Sequence, residues 1–228
     1  MIQGFLDDFQ LCFVKNGRYD YLLSGLGITL EVALSAIVLG LAIGFLVAVV
    51  RSTHDKYGKF PFLNALAKIY LTVIRGTPMV VQLLITYYII LRSNDSMVLI
   101  AILAFGINSG AYQAEIIRAG IASIDAGQME AGRALGLSYW RTMLRIVLPQ
   151  AVRNVLPALG NEFITVIKET SLASTFFIGE LMTQYHIIVG KTHNSLPILM
   201  IIGIIYFILN FVLSKALGVF ERRLKAHA

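Results

Sequence analysis

The sequence predicts an all-α integral membrane protein of about five transmembrane helices, with its N-terminus outside and its C-terminus in the cytoplasm. Of 228 residues, 57% are hydrophobic and only 14% are charged, and the mean hydropathy is +0.75. A water-soluble domain has no use for that much apolar surface. The apolar residues also fall in long runs: Val32 to Val50, Ser96 to Ala114 and Asn194 to Ser214 contain no Asp, Glu, Lys or Arg. Each run can cross a bilayer as one helix. Basic residues cluster between the runs, which sets the orientation.

The N-terminal segment 1–21 is charge-balanced and includes Asp7, Asp8, Lys15, Arg18 and Asp20. It does not read as a cleavable signal peptide, so the first helix, Leu22 to Val50, is expected to remain as an anchor. Arg51, Lys56, Lys59, Lys68 and Arg75 follow and place the next segment in the cytoplasm by the positive-inside bias. In Arg75-Gly76-Thr77-Pro78, Thr77 is expected to cap a helix that has Pro78 at its first position and runs to about Leu91. That second span is short unless Ala65 to Ile74 forms its lower half. A broken helix and an interfacial helix leading into the span both fit.

After the polar outer turn Arg92 to Ser96, the third span returns inward from Met97 to about Arg118. The segment 119–153 carries Arg133, Arg141, Arg145 and Arg153 and is again cytoplasmic. A weaker fourth span, Val155 to Phe177, is interrupted by Asn161, Glu162, Lys168 and Glu169, and a fifth covers Leu196 to Leu217. One transmembrane domain, 22–218, thus precedes a cytoplasmic tail, 219–228, with Glu221, Arg222, Arg223 and Lys225. An odd number of helices excludes two equal repeats within the chain.

Several classes drop out. The single cysteine, Cys12, cannot close an intrachain disulfide, and there is no Cys/His metal cluster and no Gly-rich loop to cradle a nucleotide. The net charge of +6 follows membrane topology rather than a nucleic-acid face.

Between the third and fourth spans stand Glu130-Ala131-Gly132, then Gly136, then Ile146-Val147-Leu148-Pro149. Gln128 to Leu135 has a helical pattern, Gly136 suits its C-terminal stop, and Ser138 can cap a second helix through Ile146. Two short helices on a glycine turn would make a compact knob. The spacing resembles the EAA loop of ATP-binding cassette importer permeases, in which Glu-Ala-Ala is followed at fixed intervals by Gly and Ile-x-Leu-Pro. Gly132 departs from that pattern, which has Ala there; both are small, so close approach to a partner is expected to survive. Gly27-Ile28-Thr29-Leu30, Arg75-Gly76-Thr77-Pro78, Gln82 and Lys168-Glu169-Thr170-Ser171-Leu172 look like the polar amino-acid branch, the histidine/glutamate/glutamine/arginine/opine type.

That resemblance implies a type I importer permease that forms a dimer with itself or a close relative. It implies two ATPase subunits that carry ATP and Mg, and an extracellular amino-acid-binding protein that delivers substrate. The knob, with Glu130, Ala131, Gly132, Gly136, Ile146, Leu148 and Pro149, becomes the coupling element. This chain would then hold no catalytic residue, metal or cofactor of its own.

Ionisable groups inside a span cost about 2.5–3.5 kcal/mol on insertion scales, so each needs a reason. With the fourth helix starting near Arg153, Glu162 lies roughly 14 Å along it, close to the bilayer midplane. Asn108, Tyr112 and Glu115 share one face of the third helix, and Asn161, Thr165 and Lys168 share one face of the fourth. Facing stripes could form a cavity in which Glu162 meets a substrate cation while Asn108 or Asn161, with Tyr112 beside them, serves the carboxylate. The competing reading has these groups satisfying one another as interhelical hydrogen bonds, with Lys168 reaching the outer surface. An ion-coupled secondary carrier or channel would also account for Glu162 and Lys168 inside the membrane, but it needs no knob at Glu130 to Pro149. An intramembrane enzyme would need paired His or Asp at depth, whereas His54, His186, His193 and His227 are expected in loops or tails.

Overall fold

The computed structural model describes residues 7–92 and 96–226, all helices and turns with no strand among them. Residues 93–95 of the outer turn, Asn94 among them, and His227 lie outside the described residues. The helices are α1 (Tyr19–Tyr57), α2 (Pro61–Gly76), α3 (Met79–Ile90), α4 (Met97–Ala122), α5 (Ala126–Ala134), α6 (Tyr139–Thr142), α7 (Leu148–Glu169), α8 (Leu181–Thr192) and α9 (Leu196–Ala226).

Helix α1 has 39 residues, about 58 Å at 1.5 Å per residue, so it outruns the hydrocarbon core and the expected span at both ends. Gly58 stops it: φ is +65° and its N–H bonds His54 O at 2.8 Å, the left-handed closure that glycine adopts at least cost. Beyond Phe60, itself left-handed at φ +57°, Pro61 opens α2.

Between α2 and α3 the chain turns by 112°. Thr77 is extended (φ −119°, ψ 146°), as the residue before a proline prefers. The expected cap is corrected here. Pro78 sits at the N-cap without a side-chain hydrogen bond, and Thr77 Oγ1 donates backwards to Val73 O at 2.8 Å. Gln82 does the stitching: its Nε2 donates to Ile74 O (2.7 Å), Thr77 O (3.1 Å) and Thr77 Oγ1 (2.9 Å). An amide reaching back over the break satisfies carbonyls that the proline leaves orphaned.

Helix α4 is central: 61% of its most apolar stretch is buried, against 33% for α1 and 22% for α9. It runs parallel to α1, and the two approach through glycines. A Cβ on Gly40 would stand 3.1 Å from Gly110 N, one on Gly44 2.9 Å from Ala114 N, and one on Gly110 3.1 Å from Ile43. Small residues at four-residue spacing let backbones come close where lipid supplies no hydrophobic drive. Large apolar side chains such as Val38, Phe45, Leu46, Phe207 and Phe211 are left on the outside of α1 and α9, a surface suited to hydrocarbon.

By length and composition α1, α4 and α9 can span a bilayer, and the bent pair α2–α3 makes up to four. The fourth expected span differs. After α6, a π-helical turn at Met143–Val147 runs without interruption into α7, so the second knob helix does not end at Ile146. Pro149 offers no N–H to the preceding turn, and the widened turn, in which Leu148 N–H reaches Met143 O, accommodates it. Polar residues such as Asn154, Asn161, Glu162 and Lys168 keep α7 outside the spans that length and apolarity alone identify. Helix α9 continues through Glu221, Arg222 and Arg223, absorbing most of the expected tail.

Helix α8 was not legible in the sequence. It is nucleated by Glu180, fully buried, whose carboxylate accepts from Met182 N and Thr183 N at 2.6 Å each and from Thr183 Oγ1 at 2.9 Å, an N-cap with the favourable charge. His186 therefore lies on a helix and His54 in the last turn of α1, rather than in loops.

Candidate functional site

Two features carry chemistry: a polar chain inside the bundle and the knob at its basic end. Glu162 sits fourteen residues into α7, about 21 Å along the helix rather than the 14 Å expected from a start near Arg153. Its Oε1 accepts from Ser109 Oγ at 2.8 Å. Ser109 in turn accepts from Gln113 Nε2 at 3.0 Å, and Gln113 also reaches Ile37 O at 3.3 Å. A relay from α1 through α4 to α7 thus ends on a partly buried carboxylate. Ser109 and Gln113, both about 1% exposed, escaped the sequence reading because Ser and Gln inside a span are ordinary interhelical bonding residues.

The other expected members do not join Glu162. Asn108 is buried and donates Nδ2 to Gln82 Oε1 at 3.0 Å, tying α4 to the broken helix. Tyr112 is exposed, with the Arg75 guanidinium carbon 5.6 Å from its ring centre. Asn161 faces outward and donates Nδ2 to Pro157 O of its own helix at 3.1 Å. Glu115 pairs with Arg118 at 2.9 Å and lies 4.0 Å from Arg75. The two predicted stripes therefore do not face each other. A cavity of about 770 Å³ between α4, α7 and α9 is lined by Gly120, Ser123, Arg153, Asn154 and Glu221, nearer the basic end and without Glu162 among its walls.

At the knob, Asp125 caps α5 by accepting from Gly127 N at 2.6 Å. Gly136, at φ +79°, closes it: Leu137 N bonds Gly132 O at 3.1 Å and Gly136 N bonds Arg133 O at 3.0 Å, the paired bonds of a Schellman stop. Ser138 then caps α6 through Arg141 N at 3.4 Å. Lys56 lies 4.3 Å from the Tyr139 ring centre and Tyr57 meets that ring edge-on at 5.8 Å, pinning the knob to the end of α1. Glu130, Ala131, Leu135 and Trp140 point outward, whereas Gly132 is the buried residue of α5 and abuts Thr142. The expectation that Gly132 serves close approach to a partner is thus corrected, because its neighbour is within the chain. Ile146 and Leu148 are half-buried and Pro149 is exposed.

The family model for binding-protein-dependent transport system inner membrane components matches residues 40–226. The arginine transport system permease protein ArtQ of Bacillus subtilis (strain 168) is 37% identical over 210 residues, which is 91% of this chain and 94% of that protein. The glutamine transport system permease protein GlnP of Escherichia coli (strain K12) is 38% identical, covering 90% and 93%. The L-cystine transport system permease protein TcyB of Bacillus subtilis (strain 168) is 35% identical, covering 92% and 89%. The crystal structure of an amino acid ABC transporter with histidines superposes with TM-score 0.84 at 38% identity over 90% of this chain and 94% of its counterpart. The methionine transporter MetNI, at 17% identity and TM-score 0.78 over 92% and 99%, shares the fold. With family, relatives and fold in agreement, this chain belongs to the binding-protein-dependent transport system inner membrane components and is a permease subunit of an ABC importer.

Proposed function

We propose that the chain imports polar amino acids, basic ones included, across the cell membrane as one half of a permease dimer, fed by an extracellular binding protein and driven by two ATPase subunits. The observation that carries this is the knob, in which α5, ended by Gly136, presents Glu130, Ala131 and Leu135 outward from the basic end and α6 adds Trp140. Leu135 and Trp140 are 81% and 68% exposed, and apolar side chains standing out of a polar loop suit docking against another protein. ATP binding would draw the ATPases together and move both knobs, shifting the bundle between outward and inward states. In this reading α1, the α2–α3 pair, α4, α7 and α9 are the five spans, and the basic end is cytoplasmic.

Glu162, anchored by Ser109, offers a carboxylate to a substrate cation. The names of the relatives, which include arginine, glutamine and cystine systems, favour polar amino acids. The test is reconstitution with an ATPase and a panel of amino-acid-loaded binding proteins. ATP-dependent uptake of a polar amino acid is expected; uptake that needs no ATPase, as in a secondary carrier, would overturn it.

A further inference from the structure

Beside the broken helix lies a basic vestibule that neither the knob nor Glu162 uses. Lys68, Thr72 and Arg75 recur at i, i+4 and i+7 on α2 and share a face. With Arg51 and Glu115 they line a cavity of about 500 Å³. Three cations stand against one carboxylate, and that carboxylate already accepts from Arg118 at 2.9 Å and 3.3 Å. Arg75 is left at the 4.0 Å limit of an ion pair with Glu115. Arg51 spends Nη1 on Asn64 Oδ1 at 3.2 Å, while its Nε is shut from solvent with no hydrogen-bond partner among the described residues. Such a concavity is short of acceptors, and an oxyanion supplies them. The Glu115 carboxylate on the rim would repel a lipid phosphate, yet it suits a zwitterion whose ammonium lies beside its carboxylate.

We propose that this vestibule holds the carboxylate of the transported amino acid as it leaves the bundle, with Arg51, Lys68 and Arg75 as the cationic wall and Glu115 facing the ammonium. The proposal rests on the amino-acid import reading above. Because it recognises the main-chain charges, the site takes α-amino acids of different side chains and releases them when the broken helix moves.

The test uses the assembled importer in phosphatidylcholine vesicles, carrying Cys12→Ser and a reporter, Thr72→Cys. Gly76→Cys, where an added Cβ meets nothing within 4 Å, is the second reporter should the first disturb assembly. An anionic methanethiosulfonate supplied from the basic end is expected to label about tenfold faster than a cationic one. Saturating L-arginine or L-glutamine should slow labelling at least about threefold, whereas agmatine, the decarboxylated arginine, should not. Lys68→Gln with Arg75→Gln should abolish both effects. Equal protection by agmatine, or none by either amino acid, overturns the proposal. So does slowing by added phosphatidylglycerol that the amino acids do not increase, which would make the vestibule a lipid site. ATP-driven uptake measured in the same vesicles separates the two readings. Uptake with failed protection removes only the vestibule; absence of uptake removes the import reading and the vestibule with it.

Discussion

Gly132→Ala would bring this chain to the Glu-Ala-Ala form of the motif, and it is expected to damage the knob rather than improve it. A Cβ at residue 132 would lie 2.8 Å from Thr142 Oγ1 and 3.2 Å from Thr142 Cβ, with Cγ2 closer still. Thr142 is fully buried, and its hydroxyl donates to Ser138 O at 3.2 Å. It is a short, β-branched side chain, stiff at χ1, so it has little room to turn away. The substitution gains about 1 kcal/mol of helix propensity. Against this stands an overpacking cost of about 1–3 kcal/mol for forcing α5 off α6. The expected net loss is about 1 kcal/mol, accompanied by a displaced docking surface. Thr142→Ala removes Cγ2 and Oγ1, so the double variant should recover what the single one loses, with a coupling energy of at least about 1 kcal/mol in a double-mutant cycle. Thermal unfolding of the purified permease–ATPase complex supplies the energies, and ATP-driven uptake reports the displacement. If Gly132→Ala is as stable as the parent and the cycle is additive, the contact is soft and the steric argument fails.

Four further outcomes follow from the same geometry. Gly136→Val forces a β-branched residue to φ +79°, costing about 1–2 kcal/mol and misplacing α6; normal co-purification of the ATPase with full uptake would count against it. Glu130→Arg reverses an exposed charge on the knob and should leave the protein in the membrane while abolishing uptake, and unchanged uptake removes the coupling role. Gly44→Val sets side-chain atoms against the Ala114 and Gly110 backbone, since even a Cβ would lie 2.9–3.0 Å from them. It should lower the unfolding temperature far more than Gly27→Val, which has open space. Glu162→Gln should impair uptake of a basic amino acid more than of glutamine or glutamate supplied through matched binding proteins, and equal rates for all three would make Glu162 structural.

Much of this protein follows from the chain read alone. Composition and charge-free runs dictate a membrane solvent, and they locate α1, α4 and α9, because nothing else satisfies so many apolar side chains and their backbone groups. The knob was also legible, since its parts are local: Ser138 caps and Gly136 takes the positive φ, both within a few residues of the helix ends they control, whereas the Asp125 cap, which starts α5 two residues before Gln128, came only with the structure. Where a local rule competed with a neighbour, the sequence misled. Thr77 looked like a cap until Gln82 claimed it, and Ile146 looked like an end until a π-helical turn absorbed Pro149. Helix α8 depends on the burial of Glu180 beneath Tyr206, which donates to it from 26 residues away at 3.4 Å.

The pairings between helices belong to the tertiary structure alone. Periodicity states which residues share a face, but not which face meets which. That is decided by how each helix is rotated and how closely the glycines Gly40, Gly44, Gly106 and Gly110 let α1 and α4 approach. Hence Asn108 found Gln82 and not Glu162, and Glu162 found Ser109, 53 residues distant: a hydrogen bond reaches about 3 Å, so a modest rotation of one helix exchanges its partner for another.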